Sequence, residues 1–175
     1  MYSKMVISLS LDSMLLNNKL IIMKINEKLV RKLENLKYHI SFAESMTGGL
    51  LSSTIVDISG ASNVLEKSFV TYSNKAKVEL LNVCPDTIEK YDVVSIEVAK
   101  EMVLGLYNIT KSEVCASVTG YAEGYIKGSG KFCYAIKYQD TIYSNELIVE
   151  GSRNQVRKKA TDIILKEIYE IIKGV

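Results

Sequence analysis

Residues 40–51 place the tightest constraint on what this chain can fold into. Ile40-Ser41-Phe42-Ala43 has the content of a short, mostly apolar strand. Glu44-Ser45-Met46-Thr47-Gly48-Gly49 supplies small residues for a sharp turn, and Leu50 to Ile58 resumes as an apolar, helix-compatible run. A strand that turns into a helix this way aims backbone N–H groups and the positive end of the helix dipole at one point. A serine at the mouth of such a turn, here Ser45, can be a nucleophile with its own oxyanion donors. It can equally be an ordinary helix cap, and taken alone the segment favours the cap.

The rest of the chain alternates between helix and strand. The sequence predicts a helix capped by Asn26, with Ile25, Leu29, Leu33 and Leu36 on one face, and a short helix over Val64–Glu66. Ser68–Tyr72 has the content of a strand, and Asn74 opens a helix carrying Ala76, Val78, Leu80 and Leu81. Pro85, Asp86 and Glu89 suggest a short helix with a capping box. Ser95 caps the next helix, whose buried stripe is Val98, Met102 and Leu106. Val114–Val118 reads as a compact strand ending at Thr119-Gly120, followed by a loop holding Gly124, Gly128 and Gly130. Phe132–Tyr138 and Thr141–Glu150 read as a hairpin. A helix from about Asn154 closes the chain, with Val156, Ala160, Ile164, Ile168 and Ile171 facing inward.

This order argues for an α/β protein whose mixed sheet is covered on both faces. In open α/β sheets, ligands bind at the carboxyl ends of the strands. Three such ends carry polar or small residues: Ser45, Tyr72-Ser73-Asn74 and Thr119-Gly120. Their convergence is the reason to expect one shared site.

Composition narrows the functional classes. With 175 residues the chain is long enough for one domain with a sizeable core. A net charge of +2 is too small to argue for nucleic acid, and the apolar runs are too short to span a membrane. Cys84, Cys115 and Cys133, with the single histidine His39, offer no zinc spacing and read as buried free thiols in a reducing cytosol; His39 reads as a packed structural residue. Residues 1–23 form an extra N-terminal segment of unreadable role, preceding a domain over 24–175. Val6–Leu11 is apolar enough for a signal core, but Asp12 and Asn17-Asn18 interrupt it and no cleavage site follows.

Ala43-Glu44-Ser45-Met46-Thr47-Gly48-Gly49-Leu50, Tyr72-Ser73-Asn74-Lys75-Ala76-Lys77, Val94-Ser95 with Glu97-Val98-Ala99, and Val118-Thr119-Gly120 resemble, in order and spacing, the CinA C-terminal domain, the nicotinamide-nucleotide amidase family. The likeness runs from about Ile25 to the C-terminus and lacks the domain that precedes it in full-length CinA proteins, so it implies the stand-alone form. The resemblance implies a three-layer α/β/α sandwich with a mixed, mostly parallel sheet, often dimeric. It also implies hydrolysis of the carboxamide of nicotinamide mononucleotide without a metal or cofactor. Carried over by motif, Ser45 would be the nucleophile, Lys77 the general base and Tyr72 their neighbour. Glu44, Thr47, Gly48, Gly49, Asn74, Thr119, Gly120 and Arg153 would contact substrate or line its seat. The chain departs from the family pattern at Met46, where cysteine is common, and at Tyr121-Ala122-Glu123-Gly124-Tyr125, where a proline- and glycine-rich loop is usual.

The chemistry sets its own demand. A neutral hydroxyl is a weak nucleophile toward an amide, so a base must take its proton. A lysine can do so only when neutral; lowering it from about 10.4 to roughly 7–8 costs about 3–4 kcal/mol, which burial or a nearby positive charge can supply. Backbone N–H groups at Thr47–Gly49 would then hold either the oxyanion or the substrate phosphate. Each residue also has a plainer role: Lys77 solvated, Tyr72 in the core, Asn74 a cap, Arg153 on the surface. Glu44 would orient Lys77 or accept backbone bonds. The alternative to an amidase is a degenerate, non-catalytic nucleotide-binding or interaction module of the same fold.

Overall fold

Five consecutive buried residues, Ile40–Glu44, form the central strand β1. A computed structural model describes residues 23–174, so residues 1–22 of the expected N-terminal segment lie outside the described residues. α1 (Ile25–Leu36) precedes β1, and α2 (Leu50–Val56) follows it. Then come β2 (Leu65–Val70), α3 (Asn74–Leu81), α4 (Pro85–Tyr91), α5 (Ile96–Thr110), β3 (Val114–Ile126), β4 (Ser129–Tyr138), β5 (Thr141–Glu150) and α6 (Arg153–Ile172).

The sheet order is β2-β1-β3-β4-β5. β1 is parallel to β2 and β3, and β4 is antiparallel to both β3 and β5, so β4 alone opposes the common direction. Side chains alternate across the strands, and the two faces acquire separate cores. Ile40, Phe42, Ala116, Phe132, Tyr134 and Ile136 pack with α1, α2 and α6. Ala43, Cys115, Cys133 and Ala135 pack with α3 and α5 on the other face. The result is the three-layer α/β/α sandwich, and no helix among the described residues is long and apolar enough to cross a membrane.

Several local expectations shift. The short helix expected at Val64–Glu66 is a 3-10 turn at Ala61–Asn63, because Leu65 already pairs with Ile40. Asn26 is not the cap of α1; it lies inside the helix, buried, and donates Nδ2 to Thr54 O at 2.9 Å. Ser73 rather than Asn74 caps α3, accepting from Ala76 N at 3.0 Å. No capping box forms at α4; instead the Glu101 carboxylate accepts from Cys84 N at 2.7 Å and Thr87 Oγ1 at 2.6 Å. The expected loop after Gly120 is an extended ribbon, since β3 runs on to Ile126 and returns as β4 from Ser129. Its glycines suggested a loop; Gly124 and Gly128 instead take φ of +80° and +77° within and at the end of that ribbon. Cys115 and Cys133 are buried, but Cys84 is exposed. His39 has a half-exposed ring beside Glu113.

Gly105 shows how closely the helical layer on the α3–α5 face is packed. A Cβ there would lie 1.9 Å from Leu81 O and 2.7 Å from Leu81 C, both backbone atoms that cannot swing aside. Gly→Ala inside a helix ordinarily stabilises by about 1 kcal/mol. Here Gly105→Ala is expected to destabilise by about 2–3 kcal/mol through overpacking, lowering Tm by several degrees in a thermal melt.

Candidate active site

β1 and β3 together position Ser45. Ser45 N donates to Val118 O at 3.0 Å, and Gly48 N closes the turn onto Ser45 O at 3.0 Å. Gly48 and Gly49 hold φ of +61° and +91°, which a side chain would strain. The turn is braced from behind by α6, where Arg157 Nη2 donates to Thr47 O at 2.6 Å.

Beside this turn, Thr71 N extends the β1–β2 pairing by donating to Glu44 O at 2.8 Å. The chain then enters α3, whose first turn carries Lys77 back toward Ser45. Lys77 is 1% exposed, and its Nζ lies 3.0 Å from Ser45 Oγ, 2.9 Å from Thr71 O and 3.5 Å from Tyr72 O. A neutral amine has two N–H donors and one lone pair. The two carbonyls suit the donors, leaving the lone pair to accept from the Ser45 hydroxyl. Burial pulls Lys77 down from 10.5 to about 8, because the interior disfavours its charged form.

Ser45 and Lys77 open onto a cavity of about 220 Å³ at the carboxyl ends of β1 and β2 and alongside β3. Tyr72, Asn74, Thr119, Gly120 and Arg153 line it as well, so seven of the residues expected at the site come together. Thr119 Oγ1 donates to Val93 O at 2.9 Å, tying down the segment that leads into α5. A Cβ on Gly120 would meet Met46 Sδ at 2.3 Å and Lys131 O at 2.7 Å, so only glycine lets this wall approach the turn. Arg153 opens α6 and reaches across the mouth, donating Nη2 to the Tyr72 hydroxyl at 2.9 Å and Nη1 to Glu123 Oε1 at 3.0 Å.

The other four expected residues stand behind the cavity rather than in its lining. Glu44 does not orient Lys77: its buried carboxylate accepts from Leu51 N at 3.0 Å, Ser52 N at 2.9 Å and Ser52 Oγ at 2.9 Å. It therefore satisfies the first free N–H groups of α2 from within the protein. Thr47 is fully buried, and Gly48 and Gly49 shape the turn. Sequence reasoning missed Val93 in the lining and Arg157 behind the turn. Nothing in the spacing marks Val93. Arg157 had a signal, since it follows Arg153 by four residues and so shares a helical face with it. No group of three or more metal-ligating side chains occurs among the described residues.

Known proteins share this sequence pattern and this fold. The family model described as the CinA C-terminal domain matches residues 22–172. A CinA-like protein of Petrotoga mobilis is 42% identical over 138 residues, covering 77% of this chain and 34% of that protein. The chain spans about a third of the length of the curated relatives it matches. Among solved structures, a competence or damage-inducible protein from Enterobacter asburiae superposes with a TM-score of 0.80 at 26% identity, covering 85% of this chain and 96% of that one. The competence/damage inducible protein CihA from Agrobacterium tumefaciens gives 0.75 at 27% identity, with the same coverage of 85% and 96%. With its matched segment running from the start of α1 through the end of α6, this chain belongs to the CinA C-terminal domain family.

Proposed function

We propose that this chain is an amidohydrolase that cleaves the carboxamide of nicotinamide mononucleotide to nicotinate mononucleotide and ammonia. The observation that carries the reading is the buried contact of 3.0 Å between Lys77 Nζ and Ser45 Oγ at a cavity. The nucleotide is the substrate implied by the family resemblance, and Arg153 at the mouth supplies a cation for its phosphate. In the reaction, the Ser45 proton moves to the Lys77 lone pair as Oγ bonds to the carboxamide carbon. The tetrahedral intermediate collapses, Lys77 returns the proton to the leaving nitrogen, and ammonia departs from an ester on Ser45. Water, deprotonated by Lys77, cleaves that ester and regenerates the hydroxyl.

The experiment is ammonia release from nicotinamide mononucleotide by purified protein, measured across pH. The base must be neutral, so activity is lost as pH falls through the Lys77 value of about 8. At pH 7 roughly a tenth of the molecules carry the neutral amine and at pH 8 about half, so kcat/KM is expected to climb about fivefold from pH 7 to 8 and to level off about tenfold up, above pH 9. A flat profile from pH 6 to 9 would remove Lys77 as the base. No ammonia at any pH would leave a nucleotide-binding module of this fold as the better reading.

A further inference from the structure

Arg153 stands at the cavity mouth with both terminal nitrogens engaged, Nη1 by the Glu123 carboxylate at 3.0 Å and Nη2 by the Tyr72 hydroxyl at 2.9 Å. All three residues line the same cavity as Ser45. Among the lining residues, Arg153 is the permanent cation and Glu123 the carboxylate; Lys77 lies buried against Ser45. A guanidinium favours phosphate and carboxylate oxygens, which it binds side by side. Glu123 thus holds the nitrogen that an incoming anion would need.

We infer that Glu123 is a built-in competitor for the Arg153 anion seat, so that an anionic group of the substrate binds by displacing the Glu123 carboxylate. The inference rests on reading this cavity as the substrate seat of the proposed amidase. Displacement is physically easy. The Glu123 and Arg153 side chains are 62% and 46% exposed, and such pairs shift an equilibrium only a few-fold. Glu123 lies in the stretch between Tyr121 and Ile126 where β3–β4 pairing is irregular, and a Cβ on its neighbour Gly124 would meet nothing within 4 Å. The carboxylate can therefore swing out without moving packed core. The Tyr72 hydroxyl stays bonded to Arg153 and keeps the guanidinium at the mouth. A dianionic phosphate outcompetes one carboxylate, whereas a neutral amide gains nothing from the exchange. Glu123 so sets how far the site discriminates between anionic and neutral amides.

The test is calorimetric titration of the full chain with inorganic phosphate, comparing wild type, Glu123→Gln, Arg153→Gln and the double variant. Glu123→Gln is expected to tighten phosphate binding about threefold to fivefold, with the gain shrinking as salt rises. In the Arg153→Gln background the gain should disappear. Equal or weaker phosphate binding by Glu123→Gln, a gain that persists undiminished without Arg153, or no phosphate binding by any of the four proteins would each overturn the inference. Because the titration needs no turnover, its outcome is independent of whether ammonia is released.

Discussion

Ser45→Ala is expected to slow ammonia release from nicotinamide mononucleotide by about 10³-fold or more, while nucleotide binding changes little. The hydroxyl forms its decisive bond only on the way to the transition state, so its loss falls on kcat rather than on ground-state affinity. Lys77→Ala should cost a comparable factor, since the amine stands 3.0 Å from Ser45 Oγ and is the base in the proposed cycle. The double variant should be little slower than either single one, because nucleophile and base act as a unit. Lys77→Arg should not rescue, as a guanidinium keeps its proton and has no lone pair to offer. Single-turnover kinetics on the four variants, with binding measured separately, checks the set. Wild-type rates in Ser45→Ala would remove the acyl-enzyme route altogether.

The second large effect concerns stability. Glu44→Ala is expected to destabilise the fold by about 3 kcal/mol, since hydrogen bonds to a charged group are worth about 1.5–3 kcal/mol each and the stranded Leu51 N is buried and Ser52 N half-buried. The variant leaves Leu51 N, Ser52 N and Ser52 Oγ without the carboxylate that accepts from all three. For a chain of this length that corresponds to a fall in Tm of roughly 6–12 °C in a calorimetric scan. A group that merely touched substrate would leave the apo melting temperature unmoved. Glu44→Ala melting with wild type would therefore return Glu44 to the substrate-contacting role that the family resemblance implies.

Sequence by itself carried the architecture and the place of the candidate site. The alternation of apolar runs with capping residues placed the sheet and its flanking helices, because a strand or helix must bury one face and the period of that face is written locally. Ser95 at the start of α5 and the Ser45 turn were legible for this reason, as was the convergence of three strand ends on one cavity. Folding in three dimensions decided what each polar group faces, since hydrogen-bond partners far apart in sequence leave no local trace. For Glu44 the sequence leaves open orienting Lys77 and accepting backbone bonds; the backbone turn, which carries its carboxylate under α2, decides for the second. The glycines after Gly120 looked like a loop, yet pairing of Tyr121 with Lys131 and of Ile126 with Ser129 draws the stretch into a ribbon. Arg153 and Glu123, 30 residues apart, meet only because that ribbon and the start of α6 border the same cavity. The lowered proton affinity of Lys77 likewise comes from packing: one turn of α3 buries its amine between β2 and Ser45, and desolvation then disfavours its charge.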